Sequence, residues 1–224
     1  MERKHSTKQY DAELQEIRAL LLEMGGKVEL MISNAIQSLV ERDSALAERT
    51  ILSDLDINRL EMLIDEKCLE VLARRQPAAS DLRFITLALK IVTDLERIGD
   101  QCVSFASRAK ELNDEPLLKP YIDLPRLAEY ARAMVQESLD AFVREDALLA
   151  SKVRGNDQFV DDLNMQLQRD LLTYMMEDHA SIHRAVKLIY ISKYLERIAD
   201  HATNIAEMVI FMIKGQDIRH SARK

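Results

Sequence analysis

Glu96 and Asp100 stand four residues apart in Asp94-Leu95-Glu96-Arg97-Ile98-Gly99-Asp100, and the spacing returns as Glu196 and Asp200 in Tyr194-Leu195-Glu196-Arg197-Ile198-Ala199-Asp200. On a helix, positions i and i+4 lie about 40° apart around the axis, so each pair presents two carboxylates on one face. Like charges at this spacing cost a few tenths of a kcal/mol. Around the first pair stand Val92, Thr93, Val103 and Ser104. Two more pairs of oxygen side chains recur upstream at the same spacing, Asp54 with Asn58 and Asp157 with Asp161; Asp65 is a reserve candidate. Where pairs from adjacent helices meet, four or more oxygen donors converge with little cationic compensation. That donor set suits a hard cation such as Mg²⁺, Mn²⁺ or an iron ion. Zinc is less natural, since no Cys or His falls at ligand spacing. The Glu-x-x-His signature of di-iron bundles is absent, because Gly99 and Ala199 occupy the i+3 places. The plainer reading is a solvated charged face, or acids paired with arginines of neighbouring helices. Duplication at matched register sets the cation reading beside it.

Arg97 and Arg197 point about 100° away from the acids. Arg97 reaches Asp94 at i−3, whereas Arg197 has Tyr194 there, which leaves Arg197 for another surface. Both are candidate partner-binding residues. His201 follows Asp200 and so lies on another face; His179, His183 and His220 read as surface residues. A Gly-rich phosphate loop, a serine elbow and a Cys/His nucleophile pair are all missing. A non-catalytic protein is therefore expected. The competing class is a metal-dependent enzyme, an oxidase or phosphatase built on the carboxylates; a structural scaffold is the third.

The elements that position these residues are helices. Leu14, Ile17, Leu21, Met24, Val28, Met31, Ala35 and Leu39 recur every three or four residues. Gly25-Gly26 interrupts that seam, for close approach of a neighbour or for a kink. Asp43 and Ser44 suit an N-cap and mark a turn. A second helix is expected from about Ala45 to Arg75, stopped by Pro77. A third, capped by Ser80 or Asp81, runs to Asn113. Pro116, Pro120 and Pro125 then mark a linker. Met31, Leu39, Asp43 and Asp54 return as Met134, Phe142, Asp146 and Asp157; Ile91, Leu95 and Ile98 return as Ile191, Leu195 and Ile198. Such a shared seam is an internal duplication. The expected fold is all-α, two tandem, internally repeated three-helix bundles with six long helices. Residues 1–113 form the first bundle, 114–125 the linker and 126–224 the second bundle.

Five Gly and four Pro in 224 residues agree with long helices. A formal net charge of −7 argues against a general nucleic-acid surface. Cys68 and Cys102 sit in the apolar seam, as expected of reduced core thiols. The start, Met1-Glu2-Arg3-Lys4-His5, has no apolar signal region, and Met208 to Ile213 is too short to span a bilayer. A cytoplasmic chain is expected, reaching membranes only through partners.

Arg75-Gln76-Pro77 with Asp81-Leu82-Arg83, the Leu-Glu-Arg-Ile-Gly-Asp of residues 95–100, its counterpart ending in Asp200, and Lys214-Gly215-Gln216-Asp217 together resemble the PhoU family of phosphate-signalling proteins over nearly the whole chain. The resemblance implies a cytoplasmic, commonly dimeric pair of bundles that represses phosphate-starvation genes when phosphate is plentiful. It implies a link between the ATPase subunit of the high-affinity phosphate transporter and a sensor histidine kinase, with a limit on phosphate uptake. It further implies metal binding at Glu/Asp-x-x-x-Asp motifs. By position these fall on Glu96, Asp100, Glu196, Asp200, Asp54, Asn58, Asp157 and Asp161. Asn58 departs from the acidic pattern and would weaken the first site, and Ala199 in place of Gly99 would restrict close approach in the second.

Overall fold

The computed structural model describes residues 2–215, with side chains from residue 8. His220, Gln216 and Asp217 lie outside the described residues. The helices are α1 (Glu2–Val40), α2 (Ser44–Leu52), α3 (Asp54–Arg74), α4 (Ala79–Asn113), α5 (Asp123–Arg144), α6 (Ala147–Glu177) and α7 (Ile182–Lys214), with a 3₁₀ turn at His179–Ser181 before α7. There is no strand among the described residues. The expected all-α tandem of three-arm bundles is present, α1 with α2/α3 and α4, then α5 with α6 and α7.

The second arm of the first half is broken where one continuous helix was expected. Thr50 donates its hydroxyl hydrogen to the Leu46 carbonyl and Ser53 donates to that of Thr50. Such back-bonds accompany the break but do not suffice for it, since those of Thr93 and Ser107 leave α4 unbroken. In the second half the equivalent positions are Val153 and Asn156, and α6 runs unbroken. The turns before α2 and α6 share one device. Arg42 and Glu145 take left-handed φ values of 57° and 52°. Asp43 then accepts from the Leu46 N–H, and Asp146 from those of Leu148 and Leu149. The third arm is not capped as expected. Ala78 is its N-cap and gives no side-chain bond, and Asp81 in the first turn accepts from the Tyr10 hydroxyl instead. α5 begins at Asp123, inside the stretch expected as linker, since Pro125 falls in a first turn that needs no N–H from it.

Ion pairs fix the directions. Lys27 with Asp56, Lys67 with Glu16 and Arg75 with Glu13 run α1 against α3, antiparallel. The halves join where α1 meets α5 and α4 meets α7. Asp94 with His201 and Lys187 with Glu111 set α4 and α7 antiparallel. Equivalent positions of the two halves are thereby related by an approximate two-fold through that pair. One apolar cluster runs through both halves, and the Phe84 and Phe142 rings stack across the join at 5.6 Å.

Of the two explanations for Gly25-Gly26, close approach is the one seen. A Cβ on Gly25 would stand 2.2 Å from Leu139 Cδ1 of α5, and one on Gly26 would meet nothing within 4 Å. Gly26→Ala should therefore stabilise the chain by up to about 1 kcal/mol through helix propensity. Gly25→Ala gains the same term but overpacks the core, at a cost of about 1–3 kcal/mol. Thermal melts should show Tm rising for Gly26→Ala and falling for Gly25→Ala, with Leu139→Ala relieving the second.

Candidate metal centre

The first ladder is assembled where the start of α3 faces the middle of α4. Gly99 makes this possible, because a Cβ there would lie 3.3 Å from Asp54 Oδ1 and 3.4 Å from Ile57 Cγ2. Asp54 Oδ2 accepts from the Asn58 amide at 2.9 Å. Asp54 Oδ1 is buried and has no hydrogen-bond partner. A carboxylate oxygen in that condition costs free energy unless something positive reaches it. Asn58 is thus a donor to Asp54 before it is a ligand.

Glu61 belongs to this ladder and was not singled out from the sequence. Burial raises its pKa first, then the nearby charges of Asp65 and Asp100. Burial likewise raises Glu96, with Asp100, Glu61 and Asp54 adding to it and Arg97 opposing. Asp54 is raised by burial and by Asp100, against its bond from Asn58. Asp65, the reserve candidate, is also raised by burial. The signal for Glu61 was present. Asp54, Asn58, Glu61 and Asp65 follow at i, i+4, i+7 and i+11, one helical stripe. Glu61 restores to the first half the acid that Asn58 removes, and its counterpart in the second half is Asn164.

The second ladder is built on α6 and α7. Asp157 is only 2% exposed and accepts from the Thr203 hydroxyl at 3.0 Å. Thr203 was also missed; its counterpart is Val103, which explains why Asp54 lacks the same partner. Asp200 opens to the α4/α7 groove, yet the surrounding walls desolvate its carboxylate. Burial, and then Asp157, Glu196 and Asp161, push its pKa up to about 6, with His201 opposing. The expected lack of cations fails here: Lys193, at i−3, holds Glu196 at 2.8 Å.

Both ladders border one groove of about 720 Å³ between α4 and α7, which Glu96, Asp100, Asp200, Arg97, Arg197 and His201 help to line. Arg97 does not pair with Asp94. The Asp94 carboxylate is taken by His201, whose Nδ1 lies 2.8 Å from Oδ1, and by the Asn204 amide at 3.4 Å. His201 is thus a clasp between halves rather than a bystander. Arg97 and Arg197 are exposed and line the groove. His183 is a surface residue, as expected. Cys68 and Cys102 are buried free thiols, their pKa values pushed up by burial.

As the side chains stand, no three His, Cys, Asp or Glu among the described residues close around one point that could hold a metal ion. The donor chemistry nevertheless fits a hard cation in the first ladder. It gathers acids that raise one another's pKa and leaves one buried oxygen without a partner. Away from the two ladders, surface ion pairs such as Arg132–Glu129 hold acids on exposed helix faces.

The comparisons with known proteins agree over most of the chain. A family model for the PhoU domain matches residues 21–109 and again 124–209. A Pseudomonas putida protein named as a phosphate-specific transport system accessory protein PhoU homolog is 46% identical over 221 residues, 98% of this chain and 86% of that one. The crystal structure of PhoU from Pseudomonas aeruginosa superposes with a TM-score of 0.89 at 46% identity, covering 92% of this chain and 100% of that one. The Streptococcus pneumoniae phosphate transport system regulatory protein PhoU gives 0.86 at 29% identity, over 93% and 98% of the two chains.

The Asp200 environment has a signed consequence for stability. Its usual value of 3.8 becomes about 6 in the folded chain, so ionisation costs more folded than unfolded. Its contribution is therefore full at low pH and is lost as pH rises through about 6. Asp200→Asn should raise Tm at neutral pH in chelator, and the difference from wild type should close as pH falls toward 4. Melts of both proteins across that range check it; a difference independent of pH would count against it.

Proposed function

The chain belongs to the PhoU family, and from that premise we propose that it is a non-catalytic adaptor that negatively regulates the phosphate-starvation response. It couples the ATPase subunit of the high-affinity phosphate transporter to a sensor histidine kinase and limits phosphate uptake. The observation that carries this reading is the near-complete coverage by relatives named as accessory or regulatory proteins of phosphate transport. Those names denote accessory and regulatory proteins rather than enzymes. No helix among the described residues is long and apolar enough to cross a membrane. We place the chain in the cytoplasm as a homodimer, in contact with the membrane through its partners and with no nucleic-acid partner.

Within that role the ladders are cation sites. Asp54, Glu61, Glu96 and Asp100 would hold a cation in the first half, and Asp157, Asp161, Glu196 and Asp200 in the second. Magnesium, manganese and iron suit these oxygens; zinc suits them less. A bound cation supplies the positive charge that offsets the gathered carboxylates. The chain's own part is geometric. Gly99 admits Asp54 beside α4, Thr203 orients Asp157, and Asn58 holds one oxygen of Asp54 and leaves the other. Arg97 and Arg197 flank both ladders on the groove and are the residues assigned to partner contact.

Two measurements test these assignments. Deleting the gene should switch phosphate-starvation genes on in phosphate-rich medium; unchanged expression would overturn the regulatory reading. For the cation sites the test is one of sign. Without metal, Asp100→Asn relieves repulsion and should raise Tm. In excess Mn²⁺ the wild type gains about 2.7 kcal/mol at 100 times its dissociation constant, and the variant loses most of that gain. A shift of the same sign in chelator and in Mn²⁺ would return the ladders to plain surface charge.

A further inference from the structure

The approximate two-fold between α4 and α7 gives the molecule an internal comparison, and along the groove the two ends differ. At one end Arg108 of α4, held by Glu111, lies over the Tyr190 ring of α7, 5.8 Å from its centroid, with Tyr194 one turn further along α7. Two tyrosines and the guanidinium thus stand at that end, with Tyr190 half exposed. At the other end the equivalents are Met208 for Arg108, Lys90 for Tyr190 and Asp94 for Tyr194. No Phe, Tyr or Trp is among the residues lining that end. A cavity of about 640 Å³ opens instead, lined by Thr86, Leu89, Lys90, Asp94, Asn204 and Met208.

We propose that this cavity is a docking pocket for an aromatic side chain, best a tyrosine, presented by a partner protein. The occupant is argued from the other end of the same groove, where a tyrosine ring stands at the matching position against a cation. The open end keeps the chemistry such a ring needs. Leu89 and Met208 are apolar walls, and a thioether sulfur packs favourably against an aromatic ring. Lys90 is exposed and carries no ion pair among the described residues, so its ammonium is available to a ring face. Asp94 gives Oδ1 to His201 and Asn204, which leaves Oδ2 for a phenolic hydroxyl. An aromatic anchor in a pocket is the usual energetic centre of a protein contact. The proposal rests on the adaptor reading only for who supplies the ring.

The probe is p-cresol, the tyrosine side chain alone, titrated into methyl-labelled protein and followed by NMR. Saturable shifts of the Leu89 and Met208 methyls are expected, with a dissociation constant on the order of millimolar. Lys90→Tyr copies the tyrosine end and should weaken binding at least tenfold without unfolding the chain. Tyr190→Ala should open a second p-cresol site reported by the Ile189 methyl. Wild-type methyls that do not move, shifts that persist in Lys90→Tyr, or no second site in Tyr190→Ala would each overturn the pocket. Purified transporter ATPase subunit and kinase cytoplasmic region supply the partner arm. Lys90→Tyr should bind one of them at least tenfold more weakly than wild type. Unchanged binding to both overturns the docking role. Wild type that binds neither overturns the adaptor reading instead, and the p-cresol arm then decides the pocket on its own.

Discussion

The antiparallel pairing of α4 with α7 is the constraint on which the rest depends. It sets each carboxylate ladder at the edge of a shared groove, and it sets the two arginines of the repeated motif on that groove as well. It is held by polar clasps that the sequence pattern does not announce. His201 reaches Asp94 in the middle, and Lys187 reaches Glu111 and Glu115 near the α4 terminus. Lys187 is almost buried, and its two acids meet the requirement that a cation taken from water be paired. Beneath these clasps lies one continuous apolar cluster.

Duplication kept the architecture and let the chemistry drift in compensated steps. Position 58 has no acid where its counterpart is Asp161, and Glu61 one turn on carries one that its counterpart Asn164 does not. Asp157 is satisfied by Thr203, whereas Asp54 has Val103 at that register and keeps an oxygen without a donor. Gly99 leaves room for that oxygen, and buried Ala199 fills the matching space. The two ladders therefore have similar numbers of acids but unlike surroundings. The first is poor in donors; the second is buffered by a hydroxyl and by Lys193.

Much of this was legible because helices repeat with one period. Seam residues such as Ile17, Leu21, Ile57, Ile91 and Ile191 are fully buried, as their spacing requires. The i, i+4 acids do share faces beside that seam. What escaped the sequence was set by tertiary contact or lay in a local break. The break of the second arm at Ser53 falls within a stretch whose apolar periodicity does not register it. The Asp94–His201 clasp joins residues 107 apart, so the local partner Arg97 was the natural but mistaken expectation. Glu61 could have been found by following the stripe from Asp54 one turn further.

The stacked Phe84 and Phe142 rings carry a lesson about symmetry. Each ring belongs to a different half, and each covers apolar surface of the other. A chain of one half alone would expose that surface, and an exposed patch of this kind seeks a second copy. The approximate two-fold therefore has the geometry of a two-fold dimer of single bundles joined on one chain. With both bundles on one chain, the two sides of the join need not be identical. One end of the α4/α7 groove has tyrosines and the other does not, an asymmetry that no homodimer of single bundles could encode.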